Sequence, residues 1–338
     1  MKKITVVFLA VLLFSGALSA KAKGTGNGVD FSKPLKTNDF KLEKKQVISG
    51  AERQLAEEMV KGKMGGKTKP APIAYPSATG TLNPETVDNA KKYAVVIGLS
   101  NYAGTANDLC VTHTDGVNAL CADGDSLNMQ DVLLKDGYAQ SNIHLFRDDA
   151  TSFEAISAAV ASIAAAAEPD SEITFFFSGH SATTTTLSTD PGTPHLGLAL
   201  YNAPSGEIIW DEQLRGWFSG LTTQRVIFVF DTCHAGQLEP FLKGSGREVV
   251  MSSAANQYSY TYSLGGYNGL PGEGLFTHYF AKEAILAGSA DGFNAARTKD
   301  QQVAVEEAFE FTKKYVSAAK HNQQIPVLND WVTNDILF

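Results

Sequence analysis

From residue 93 onward the chain alternates short, mostly apolar segments with longer runs of helical spacing. Tyr93–Leu99 (YAVVIGL) is a short apolar run, Ile143–Phe146, Ile173–Phe177, Arg225–Phe230 and Glu248–Ser252 read as further strands, and Leu196–Tyr201 resembles them. Runs of four to seven apolar residues are characteristic of strands covered on both faces. Between them, Leu127, Val132 and Leu134 give Ser126–Lys135 a helical period. Thr151 and Glu154 have capping-box spacing ahead of an Ala-rich helix that Pro169 closes. Asp211 is placed to cap a short helix through Trp217, and 276–286 and 303–316 also read as helices. Strand–helix alternation predicts an α/β chain: a mainly parallel sheet flanked by helices, an α/β/α sandwich. Chemistry in such sheets gathers at the carboxyl ends of the strands. No Gly-x-Gly-x-x-Gly or phosphate loop follows any strand, so nucleotide binding is not supported.

The first 92 residues have a different character. Lys2 and Lys3 precede the apolar run Ile4–Phe14 and the small residues Gly16, Ala17, Ser19, Ala20 and Ala22. This is the pattern of an export signal, expected over 1–22 with cleavage after Ser19 or Ala22. The run is short of the ~20 residues of a membrane span. A periplasmic or secreted protein, off the membrane once cleaved, is the expectation, with an uncleaved anchor as the alternative. Residues 23–90 are punctuated by Gly and Pro, with one helical stretch at Ala51–Lys61, and read as a linker or pro-segment. Residues 91–338 form the main domain.

Charge separates the same two parts. Residues 21–92 carry 14 Lys and Arg against 8 Asp and Glu; the chain from Tyr93 on carries 12 against 28, within a net charge of -8. An acidic body argues against a nucleic-acid partner. It favours intramolecular contact with the basic segment, a solvated linker being the alternative. The three cysteines, Cys110, Cys121 and Cys233, are an odd number, so at least one thiol is free in an exported chain. Whether Cys110 and Cys121 pair stays open.

Two strands end in reactive residues. The third runs into Ser178-Gly179-His180, and the strand of Arg225–Phe230 runs into Asp231-Thr232-Cys233-His234-Ala235-Gly236. An imidazole beside a thiol raises its thiolate fraction and can protonate a leaving amine. The small neighbours let a substrate backbone approach. His234 reads as structural. His113, His144, His195, His278 and His321 have no metal-ligand spacing, and no cofactor is expected.

At this point the residues resemble a family. Ser-Gly-His at one strand end and Asp-x-Cys-His-x-Gly at the next are similar to the signature of metacaspases and their bacterial caspase-like relatives. Tyr93–Tyr102, Leu120-Cys121 with Asp125, Leu127 and Met129, Val249–Ser253, Gly274-Leu275-Phe276-Thr277 and Gln324-Ile325-Pro326 extend the likeness over roughly 90–330. The resemblance implies a cysteine endopeptidase acting on polypeptides, with Cys233 as nucleophile and His180 as acid–base. It places an oxyanion hole at the backbone N–H groups of Cys233 and Ser181, where the family usually has Gly. It implies a pocket of Asp231, Ser178 and Asp125 that takes Arg or Lys before the scissile bond; helix capping is the other reading of Asp125. The stretch Ala182–Thr189 is Thr-rich where relatives place acidic calcium ligands, so no metal is expected. Lys61, Lys63, Lys67 and Lys69 are candidates to occupy the cleft in a self-inhibited zymogen, and Lys243 and Arg247 a second cleavage loop. A caspase-fold scaffold without activity and a thiol hydrolase of non-peptide acyl bonds are the competing readings.

Overall fold

The computed structural model describes residues 29–48, 52–54, 57–58, 77–82, 87–104, 106–109, 122–262 and 272–337. The signal-like run, Cys110, Cys121, Lys61, Lys63, Lys67 and Lys69 lie outside them. Among the described residues no helix is long and apolar enough to cross a membrane.

Six strands form the central sheet: β3 (Lys92–Gly98), β4 (Ile143–Arg147), β5 (Glu172–Ser178), β9 (Val226–Asp231), β10 (Arg247–Met251) and β13 (Val327–Asp330). Their order is β13-β10-β9-β5-β3-β4, parallel throughout except for β13 at one edge. The mainly parallel sheet flanked by helices is the expected class. Every residue of β5 and β9 is buried, which is why these strands carry no polar alternation. Successive side chains serve opposite faces. Val95, Ile97, Phe175, Phe177, Phe228 and Phe230 pack with α2 (Phe153–Ala166) and α3 (Asp211–Phe218). Val96, Phe176, Ile227 and Val229 pack with α1 (Ala122–Lys135), the helical segment from Leu275 to Leu286 (α4) and α5 (Val305–Ala319).

Two small sheets flank the carboxyl edge. One has the order β1-β6-β7-β8, from Lys41–Glu43, Ser181–Thr184, His195–Ala199 and Ile208–Trp210; the other is β12-β11-β2, from Glu273–Gly274, Tyr260–Tyr262 and Gln46–Ile48. Thus the stretch expected to be irregular linker contributes strands β1 and β2. Both have only three residues and borrow their pairing from the main domain, so no local periodicity announces them.

Three local expectations are corrected. Ser152, not Thr151, caps α2, its hydroxyl accepting the Ala155 N–H at 3.2 Å. Thr151 instead donates to the Asp148 carbonyl and accepts from Tyr201 N. Asp211 is the first residue of α3 rather than the residue before it, and its carboxylate takes the Leu196 N–H at 2.9 Å. Arg247 opens β10, so a cut behind it would sever the central sheet; of the expected cleavage pair only Lys243 lies between elements, as the extended residue that follows the helix Glu239–Leu242.

Candidate active site

The register between β5 and β9 sets Ser178 directly opposite Asp231. Each chain then continues two residues, to His180 and to Cys233. Equal offsets from a paired position on strands ~4.8 Å apart put the two residues side by side at the carboxyl edge of the sheet. The juncture is tied by Thr232 Oγ1, which donates to the Gly179 carbonyl at 2.9 Å, and by Gly179 N, which donates to Asp231 O at 3.3 Å. Ser181 keeps a negative φ, so the backbone here needs no glycine. Its hydroxyl donates to the Cys233 carbonyl at 2.8 Å and adds a further tie.

His180 is fixed from three sides. Its ring stacks on Tyr102 with centroids 4.8 Å apart, and the His180 backbone N–H donates to the Tyr102 hydroxyl at 2.7 Å. Nε2 lies 2.8 Å from the Asn107 carbonyl, an acceptor only, so Nε2 carries the proton and Nδ1 is left as acceptor. Nδ1 is occupied: the backbone N–H of Lys45 donates to it at 3.0 Å. Burial pushes the imidazole down to about 3, so it is neutral here. Cys233 is fully buried. Its sulfur receives the Ser259 N–H at 3.4 Å, yet burial outweighs that bond and raises the thiol to about 12. The pair is therefore a neutral thiol and a neutral imidazole in this closed state.

The three residues expected to form a cation pocket do meet, and a cation occupies it. The Lys45 ammonium lies 2.8 Å from Asp231 Oδ1 and donates to Ser178 Oγ at 3.0 Å, with no exposure of either charged side chain. Ser178 Oγ in turn donates to Asp125 Oδ2 at 2.6 Å. Asp125 also accepts the Gly274 N–H at 2.9 Å. It sits inside the first turn of α1, which begins at Ala122, so the capping alternative falls away. Burial, reinforced by Asp231 and opposed by Lys45, raises its carboxyl to about 7. The pocket holds Lys45, which was not singled out from sequence; the four later lysines that were lie outside the described residues.

Several contributors were not legible. Ser259 Oγ donates to Asp231 Oδ1 at 2.7 Å, and Thr277 donates to Oδ2 through its N–H and hydroxyl, at 3.2 and 2.8 Å. Gly274 packs so close that an added Cβ would lie 2.1 Å from Asp231 Oδ2 and 2.7 Å from Asp125 Oδ2. Gly274 and Thr277 belong to a motif visible in the sequence, but only the strand pairing of β11 with β12 shows why it is there. Tyr102 closes a segment that carried the family resemblance, without a role assigned to it, and Asn107 carried no signal beyond lying after β3. His234 has left-handed backbone (φ 57°) and packs its ring on Tyr258, consistent with a turn residue. Among the described residues no group of three or more His, Cys, Asp or Glu could hold a metal ion.

The model of the caspase domain family (Peptidase_C14) matches residues 91–335. The chain belongs to this family of caspase-type cysteine peptidases. Among solved structures it is similar to protein GSU0716 from Geobacter sulfurreducens, with 15% identity, a TM-score of 0.51, and coverage of 72% of this chain and 95% of that one. It also aligns with caspase-1 from Spodoptera frugiperda, at 12% identity, a TM-score of 0.45, and coverage of 75% and 92%. No curated protein matches the sequence.

Proposed function

We propose that this chain is a cysteine endopeptidase that cleaves polypeptides after Arg or Lys, with Cys233 as nucleophile and His180 as general acid–base. The observation that carries the reading is the buried Lys45 ammonium between Asp231 and Ser178, each two residues before Cys233 and His180 on adjacent strands. A pocket that buries one lysine against a carboxylate suits a substrate cation of the same size and charge.

The chemistry follows from the hydrogen bonds. With the Asn107 carbonyl holding the proton on Nε2, Nδ1 is free to take the Cys233 proton once Lys45 leaves it. The sulfur then adds to the scissile carbonyl, and the oxyanion is met by the N–H groups of Cys233 and Ser181. The imidazolium returns its proton to the departing amine, which breaks the C–N bond and leaves a thioester. Water, deprotonated by the same nitrogen, hydrolyses the thioester and regenerates the thiol. The signal-like N-terminus adds export to this reading, so that the peptidase acts outside the cytoplasm.

The test is hydrolysis of a peptide panel differing only before the scissile bond, by wild-type protein, Cys233→Ala and His180→Ala. Cleavage after Arg and Lys that both variants lose is the expected result. No cleavage of any peptide by any preparation, with simple thioesters hydrolysed instead, would replace the reading with a non-peptide acyl hydrolase.

A further inference from the structure

We infer that residues 41–48 are a built-in inhibitor lying in the cleft with reversed chain polarity, so that Lys45 fills the cation pocket without presenting a bond that can be cut. The inference rests on the roles proposed above for Cys233, His180 and the pocket.

For hydrolysis after Lys45, the leaving nitrogen is that of Gln46, and it has to face the acid His180. The geometry is the opposite. Gln46 N donates to the Ser259 carbonyl at 3.0 Å, on the β11 side of the cleft. The N–H that faces His180 Nδ1, at 3.0 Å, is Lys45's own. The strand pairing repeats the reversal over a longer stretch. Beyond Lys45 the segment runs parallel to β11, with Gln46, Val47 and Ile48 opposite Tyr260, Thr261 and Tyr262. Ahead of Lys45 it runs antiparallel to β6, with Glu43 opposite Ser181. A substrate whose cation enters the same pocket and whose leaving amine faces His180 must travel the other way, its upstream residues antiparallel to β11.

The preceding bond is no better posed. Lys44–Lys45 has its nitrogen at His180, but the Lys44 side chain is outside the pocket, its ammonium on the Ala106 carbonyl at 3.1 Å. The Lys44 carbonyl accepts from the Gln46 side-chain amide at 2.9 Å. Neither bond flanking Lys45 is therefore placed for attack.

Anchors hold the strap at both ends. Thr37, Thr184 and Thr186 share hydroxyl bonds, and Thr186 Oγ1 donates to Asp39 Oδ1 at 2.8 Å. The Thr-rich stretch after His180 thus clasps the strap. On the far side Arg53 lies 2.7 Å from Glu273 and stacks over the Tyr262 ring at 4.4 Å. With the strap in place Cys233 is fully buried and His180 is 2% exposed. Activation then requires the strap to be drawn out as a unit or cut away from Lys45; self-cleavage at Lys45 does not release it.

The experiment compares full-length wild type, Lys45→Ala, Gln46→Pro and Cys233→Ala. Gln46→Pro removes the N–H given to Ser259 and leaves the pocket untouched, so it decides the outcome if Lys45→Ala folds poorly. Three quantities are read: iodoacetamide labelling of Cys233 by peptide mass spectrometry, hydrolysis of an Arg-ended peptide, and the intact N-terminus after incubation. The expected result is at least a tenfold rise in labelling and hydrolysis in both strap variants, with no cut between Lys45 and Gln46 in wild type. A cut there that Cys233→Ala abolishes would overturn the reversed polarity. Unchanged labelling in both variants would overturn the strap as inhibitor. Faster labelling with no peptide cleaved would leave the strap standing and remove the peptidase reading.

Discussion

Asp231→Asn separates two roles that one side chain combines. The carboxylate accepts from the Lys45 ammonium and Ser259 Oγ on one oxygen, and from Thr277 N and Oγ1 on the other. All of these partners are donors. An amide of the same shape turns a further donor toward one of these sets and removes the charge opposite a buried ammonium. Breaking a buried ion pair from one side costs about 3–5 kcal/mol. That loss applies to Lys45 in the closed chain and to Arg or Lys of a bound substrate alike. At 1.36 kcal/mol per decade it corresponds to about 10²–10⁴ in either equilibrium. The strap should therefore loosen, so Cys233 labels faster with iodoacetamide than in wild type. In the Gln46→Pro background, where the strap is already released, the same substitution should lower kcat/KM for Arg-ended peptides at least a hundredfold. Steady-state kinetics and labelling rates give both numbers. Arg turnover within threefold of the Gln46→Pro parent, or labelling of the single variant that does not accelerate over wild type, would refute the assignment of Asp231 as the charge shared by strap and substrate.

Other outcomes follow from the same geometry. Gly274→Ala places a methyl against both pocket carboxylates; overpacking of about 1–3 kcal/mol should lower kcat/KM for Arg and Lys peptides by about five- to 150-fold while leaving His180 in place, as kinetics and a Tm scan will show. Because burial raises the Cys233 thiol to about 12, the labelling rate of wild type should climb about tenfold per pH unit from 6 to 10 without a plateau, whereas Gln46→Pro should level off near the ordinary thiol range of about 8.5. Glu273 is 2% exposed, and although burial opposes it, His278 and Lys282 hold its carboxyl at about 2, below the ordinary 4.5. A depressed carboxyl contributes stability that is complete above about pH 4.5 and is lost as pH falls toward 2, on the order of 3 kcal/mol. Denaturant unfolding from pH 7 to 2 should show that loss in wild type and not in Glu273→Gln.

Legibility tracked how much of each feature is local. β5 and β9 were readable because strands covered on both faces are largely apolar, and their ends could be placed because Ser178 and Asp231 break those runs. From that, placing His180 and Cys233 on adjacent strand ends required only the parallel pairing of two strands. Asp125 was ambiguous because a carboxylate in a first helical turn looks like a cap until the helix start at Ala122 is known. Thr151 and Ser152 are adjacent hydroxyl residues, and only the backbone decides which of them caps. Lys45 was the least legible. It is one lysine among many in a basic segment, and its significance arises only when β1 and β2, each three residues long, fold back onto β6 and β11. The charge asymmetry suggested that the segment meets the domain, but charge has no register and pointed to later lysines.

Covalent trapping addresses the central claim with the fewest intermediate steps. Two peptidyl ketone labels, identical except for Arg or Asp at the position that enters the pocket, are incubated with the Gln46→Pro protein and the adduct is located by mass spectrometry. The expected result is a single adduct on Cys233 from the Arg label, formed at least a hundredfold faster than from the Asp label and slowed strongly in His180→Ala. Equal reaction of both labels, or an adduct on a residue other than Cys233, would contradict a Cys233–His180 site that selects its substrate through Asp231, Ser178 and Asp125.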